Sequence, residues 1–110
     1  MVFPVEIRRY LTRRGVDVIG AWLAGLKDER TRAKIVARID RLEMGTFGDC
    51  KSFGAGLYEL RIDWGPGYRV YYALIGKNRV LLLRGGDKRK PSADINRARE
   101  YLSDYRARKS

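Results

Sequence analysis

Between Leu57 and Lys90 the chain reads LYELRIDWGPGYRVYYALIGKNRVLLLRGGDKRK, a run that switches twice from apolar patterning to turn chemistry. Such a run leaves few options besides strands joined by tight turns. Tyr58, Leu60 and Ile62 alternate with Glu59, Arg61 and Asp63, the period of a half-buried strand. Trp64-Gly65-Pro66-Gly67 breaks that alternation. Tyr68–Ile75, rich in aromatic and β-branched residues, reads as a second strand, and Gly76-Lys77-Asn78 turns the chain again. Val80-Leu81-Leu82-Leu83 is apolar on both faces, as a central strand must be. Arg84–Lys90 reads as a flexible and very basic exit.

A hairpin folded about Gly65 sets Arg61 opposite Arg69 and Glu59 opposite Tyr71. Like charges across a ladder cost roughly 0.2–1 kcal/mol. The pair is tolerated if an anion sits between the two arginines, or if Glu59 and Asp63 neutralise them. A solvated charged face and an anion-binding face are both compatible with the strands. The basic exit after Leu83 shifts the balance toward anion binding.

The flanking segments supply helices. Val2–Arg9 is short and alternating, and Pro4 suits an edge position or an early place in a strand. Thr12 or Asp17 can cap the helix that follows, whose apolar stripe is Val18, Ile19, Trp22, Leu23 and Leu26. Asp28 is a good N-cap and Gly45 a good stop for a second helix with a core face of Ile35, Val36, Ile39 and Leu42. Its other side gathers Lys27, Arg30, Lys34, Arg38 and Arg41 into a narrow basic arc, which serves either as a solvated face or as a phosphate contact. Met44–Gly56 reads as a glycine-rich loop carrying Lys51. Pro91-Ser92 starts a final helix with Ser92 as N-cap and Ile95, Ala98, Leu102 and Tyr105 on one face. The expected fold is therefore α+β: a small antiparallel-meander sheet of about four strands packed with two N-terminal helices, plus a C-terminal helix, in one domain over residues 1–110.

Composition narrows the chemistry. The chain has 24 Lys+Arg against 13 Asp+Glu, a net charge of +11, which suits a nucleic acid or a strongly acidic protein as partner. It has no histidine and one cysteine, Cys50, so imidazole-based zinc sites, Ser-His-Asp or Cys-His catalysis and thiolate clusters are ruled out. An unpaired cysteine and the lack of a membrane-length apolar run point to the cytoplasm, with no membrane association. RNA cleavage remains open to so spare a set, because the 2′-hydroxyl is itself the nucleophile. Arg61 and Arg69 can clamp the phosphate through their planar forks. Lys88, Glu59 or Asp87 can move protons, and Tyr58 and Tyr71 offer stacking surfaces for bases.

YELRID, GPGYRVYY, LLLRGGDK and ADINRAREY together resemble the RelE/ParE superfamily of toxins from toxin–antitoxin systems, closest to its HigB-like, addiction-module-killer branch. The resemblance is strongest over Leu57–Tyr105. It implies a RelE-like fold and a toxin that cleaves messenger RNA in the ribosomal decoding site, with no metal or other cofactor. It also implies silencing by a cognate antitoxin, expected to be a small helix-turn-helix protein. Carried over by position, it makes Arg61, Arg69 and Lys88 the catalytic candidates. The RNA-binding candidates are Lys51, Arg89 and Lys90, joined by Lys34 and Arg38 from the basic arc. Many relatives place a histidine or tyrosine near the C-terminus, where this chain has Pro91–Asp94. The ParE-like branch keeps the fold but poisons DNA gyrase. That target and a non-catalytic basic nucleic-acid-binding module are the competing readings.

Overall fold

The computed structural model describes residues 5–109. Its elements run β1 (Glu6–Arg9), α1 (Val18–Gly25), α2 (Glu29–Glu43), β2 (Cys50–Ser52), β3 (Leu57–Ile62), β4 (Tyr68–Ile75), β5 (Arg79–Asp87) and α3 (Pro91–Lys109). The five strands form one sheet in the order β1-β5-β4-β3-β2. β1 pairs parallel with β5 and the other contacts are antiparallel, so the sheet is mixed. The α+β class and the three expected helices are present.

Local chemistry sets the boundaries. Asp17 caps α1 by accepting from the Gly20 N–H, and Asp28 caps α2 by accepting from the Arg30 N–H. Gly45, at φ 75°, ends α2 in the left-handed conformation open to glycine. In the β3–β4 turn Gly67, at φ 94°, donates to the Trp64 carbonyl at 3.0 Å. Arg32 reaches back from α2 to the Leu23 and Leu26 carbonyls, filling acceptors left open at the end of α1.

Both faces of the sheet are covered, and period-2 alternation assigns each residue its side. Leu60, Ile62, Val70, Tyr72, Val80 and Leu82 pack with Ile19, Leu23, Ile35, Ile39 and Leu42 of α1 and α2. Leu57, Tyr71, Ala73, Leu81 and Leu83 pack with Ala98 and Leu102 of α3. Val80–Leu83 is buried throughout, as its unbroken apolar run requires.

Several expectations need correction. The Met44–Gly56 segment is not all loop, because Cys50–Ser52 pairs with Tyr58–Leu60 as a short edge strand. The final strand continues through Arg84–Asp87, where Gly85 and Gly86 pair with Val70 and Arg69, so the basic exit begins only at Lys88. Ser92 is not the N-cap of α3; Pro91 occupies the first helical position, where its missing N–H costs nothing. Val36 is exposed, and Thr31 takes a buried place on α2 instead. The first strand is described from Glu6, and the part assigned to residues 2–4, including Pro4, lies outside the described residues.

β5 carries a bulge, where the register with β4 shifts between Tyr71 and Tyr72. The extra residue puts Leu83 and Arg84 on the same side, so that Arg84 faces α3 instead of the two N-terminal helices. Beyond the bulge the sheet has no side chains at two positions, and neighbours fill the space. A Cβ on Gly85 would lie 2.1 Å from the Trp22 ring, and one on Gly86 would lie 2.3 Å from Asp94 Oδ2.

Gly85→Ala should therefore force the indole off the sheet and lower stability by about 1–3 kcal/mol. Gly25→Ala, with nothing within 4 Å of the added carbon, should raise stability by about 0.5 kcal/mol. Urea denaturation of the two variants beside the parent checks the contrast.

Candidate functional site

The β3–β4 register pairs Arg61 with Arg69 and Glu59 with Tyr71, as the hairpin pattern requires. Glu59 is 2 % exposed and lies between the two arginines. Its Oε1 accepts from Arg61 Nε at 2.8 Å, and its Oε2 is 3.6 Å from Arg69 Nε. The hydrogen bond that Arg61 donates to Glu59 pushes its guanidinium further toward the charged form. A carboxylate this buried needs partners, and two guanidiniums side by side need an anion, so each stabilises the other. Asp63 makes no ion pair with either arginine among the described residues.

Arg61, Arg69 and Lys88 line one open cleft of about 250 Å³, together with Asp49, Asp63, Gly67 and Tyr68. Residues from β3, from β4 and from the first position after β5 thus converge at one end of the sheet. Arg61 and Arg69 stand on the α3 side, beyond the apolar patch that α3 covers. Arg69 is half-buried, its side chain 25 % exposed, so its guanidinium is partly withdrawn from solvent. Lys88 is exposed and its stem passes over Gly67.

The remaining candidates are distributed differently. Lys51 lies on β2 opposite Glu59, exposed, with its ammonium 5.2 Å from the Phe53 ring centroid. Arg89 is exposed and bound to Asp87, which accepts from both its backbone and its side chain and is thereby held ionised below the usual carboxylate range. Lys90 lines a second, neighbouring cleft with Arg89. Lys34 sits on α2, across the sheet from Arg69, with its ammonium 4.9 Å from the centroid of Trp64. Arg38 turns inward, its Nη2 donating to the carbonyls of Phe47, Asp49 and Arg61 at 3.1–3.3 Å. It ties α2 to the loop and to β3, and the basic arc is correspondingly shorter. Tyr71 is fully buried, and Tyr58 is partly buried with its ring stacked on Tyr72 at 5.5 Å, so neither offers a free ring face of the kind a base would need.

Two charged residues near the site escaped the sequence reading. Arg84 and the buried Asp94 form an ion pair at 3.1 Å, on the same side of the sheet as Arg69. Arg84 looks like part of a flexible exit until the bulge is seen, and Asp94 looks like an ordinary first-turn acid. The Gly85-Gly86 pair was the available signal, since side chains are missing where a neighbour needs the room. No group of three His, Cys, Asp or Glu suited to a metal occurs among the described residues. No helix there is long and apolar enough to cross a membrane.

Residues 21–103 match the profile of the family described as "Phage derived protein Gp49-like (DUF891)". A Haemophilus influenzae protein described as "Uncharacterized protein" is 52% identical over 79 residues, which span 72% of this chain and 80% of that relative.

Glu59→Gln removes the charge both arginines share, and should cost about 1–3 kcal/mol in urea melts because the buried amide cannot neutralise them. The tyrosines give a pH signature. Burial first, then the charges of Glu59 and Asp94, push Tyr71 up to about 12; burial and Asp104 do the same for Tyr10. An unfolded tyrosine ionises near pH 10. The contribution of both residues is thus complete below about pH 10 and lost as pH rises toward 12. Tyrosinate absorbance should accordingly appear with unfolding and not ahead of it. The Tyr71 hydroxyl lies near Arg69 but makes no hydrogen bond of normal geometry. Tyr71→Phe should therefore be neutral or stabilising by about 1 kcal/mol, and should blunt the alkaline transition.

Proposed function

The chain belongs to the phage-derived Gp49-like family, and on that premise we propose that it is the toxin of a toxin–antitoxin pair, with a RelE-like fold, that cleaves messenger RNA on the ribosome. The observation that carries this reading is the convergence of Arg61, Arg69 and Lys88 on one cleft, with buried Glu59 orienting the two guanidiniums. Planar forks held in place before substrate arrives suit a phosphate that gains negative charge in the transition state.

In this reading the RNA 2′-hydroxyl attacks the adjacent phosphorus and the bond to the 5′-oxygen of the next nucleotide breaks. Arg61 and Arg69 hold the non-bridging oxygens. Lys88, exposed and without an ion-pair partner among the described residues, gives a proton to the departing 5′-oxygen. The 2′-hydroxyl proton passes to a carboxylate on the cleft wall, where Asp49 and Asp63 stand. Positioning is borrowed from the ribosome, with Lys51, Lys90 and the outer part of the α2 arc meeting ribosomal RNA. The net charge of +11 calls for an acidic antitoxin segment that covers or blocks the cleft.

Lys88→Ala is the clean test, because no ion pair inside the described protein is lost with it. It should keep the parent melting temperature and reduce ribosome-dependent cleavage by roughly 10²–10³. Arg69→Ala should lose cleavage on the same scale and also about 1–2 kcal/mol of stability, since Glu59 stays buried with one partner fewer. Toeprinting on translating ribosomes reads the cleavage, with a gyrase supercoiling assay alongside. Full cleavage by both variants removes them from catalysis, and gyrase inhibition without cleavage sinks the ribonuclease reading.

A further inference from the structure

A second cleft of about 290 Å³ opens beside the first. β1 pairs with β5 only as far as Leu82, so the continuation of β5 has no strand on that side among the described residues. Trp22 of α1 walls one side of the opening, and Lys90 and Asp94 at the start of α3 wall the other. The Gly85-Gly86 backbone also lines it, adding no side chain. The two clefts are neighbours: Asp87 lines one and Lys88 the other, and Trp22 meets Tyr68 edge-on with ring centroids 6.4 Å apart.

The polar groups inside are incompletely satisfied. Asp94 is 8 % exposed, and the sole ion-pair partner of its carboxylate among the described residues is Arg84, at 3.1 Å. Asp94 Oδ2 accepts no hydrogen bond from any described residue, and Arg84 makes only a long 3.4 Å contact to the Gly85 carbonyl besides the ion pair. Burial raises the Asp94 carboxyl above its ordinary range despite the adjacent guanidinium. Arg84 is partly exposed, so the open positions of both groups face the cleft, where water or a ligand completes them. What completes them must offer a donor to Asp94 beside an acceptor for Arg84.

We propose that this cleft is a pocket for one unpaired nucleobase of the RNA substrate, read by the Arg84–Asp94 pair; the proposal rests on the ribonuclease reading above. A phosphate suits the interior poorly, because Asp94 repels it and Arg84 is already neutralised. A base is planar and uncharged, and it carries donors next to acceptors on its edge. The edge of the Gly85-Gly86 backbone that β1 leaves unpaired faces the opening, Trp22 supplies an apolar wall, and Arg89 and Lys90 at the mouth meet the flanking backbone phosphates. The base concerned belongs to a nucleotide next to the phosphate held by Arg61, Arg69 and Lys88, so the pair sets sequence preference and not the cleavage step.

The test is amide-correlation NMR of the free protein titrated with each of the four nucleoside 5′-monophosphates. The Trp22 indole N–H and the Gly86 amide should shift, with the best of the four bound about tenfold or more tightly than the poorest. Asp94→Asn exchanges a double acceptor for an amide and should reorder the four. Should that variant lose its dispersed spectrum, Arg84→Gln replaces it with the same expectation. Equal affinity for all four, an order unchanged in the folded variant, or shifts confined to residues around Arg61 and Arg69 would overturn the pocket. Base discrimination without cleavage on ribosomes would retain it and overturn the ribonuclease reading, whereas cleavage without discrimination would do the reverse.

Discussion

The buried carboxylate of Glu59 is the interaction on which the rest of the molecule turns. The Trp64–Gly67 turn fixes the β3–β4 register, and that register brings two arginines face to face. Without an anion of its own the sheet would pay for this repulsion continuously. With Glu59 beneath them, the same two guanidiniums are stabilised and aimed. One group thus serves stability and pre-organisation together, because the burial that makes it costly alone also makes it an effective partner.

Coverage of the sheet decides where chemistry has room. α1 and α2 close one face and α3 most of the other, so the apolar strands are sealed. The polar row Glu59, Arg61, Arg69, Arg84 collects at the end that α3 leaves open. Arg38 reinforces this end from behind by binding the Arg61 carbonyl through the sheet edge. Loops around the opening carry positive charge, while its floor consists of strand residues held by ladder hydrogen bonds. Rigid placement of this kind is what a site relying on geometry requires.

Much of this was legible in the sequence, for identifiable reasons. Alternation of Tyr58, Leu60 and Ile62, the Gly-Pro-Gly turn, and the doubly apolar Val80–Leu83 are local patterns, and the structure reproduces them. The Asp17 and Asp28 caps are equally local. The sequence pattern missed whatever depends on a distant neighbour. β2 is a three-residue strand among glycines whose pairing is set by β3 and not by its own residue types. Arg38 looks like its exposed neighbours on the helical wheel until the Phe47–Asp49 loop folds over it. Arg84 and Asp94 meet because of a bulge, and its one local trace is the Gly85-Gly86 pair that follows it.

The bulge has a further consequence, for insertions and deletions. It gives β5 one residue of slack between a half that belongs to the core and a half that carries Arg84, Gly85 and Gly86. Loss of a single residue from the upstream half is absorbed by straightening the strand, and every downstream side chain keeps its face. Gain of a residue has no such outlet, because period-2 geometry would move Arg84 to the Trp22 side and exchange the faces of the two glycines. A one-residue deletion upstream of the bulge is therefore easier for the strand to absorb than a one-residue insertion, which the Gly76–Asn78 turn accommodates at less cost.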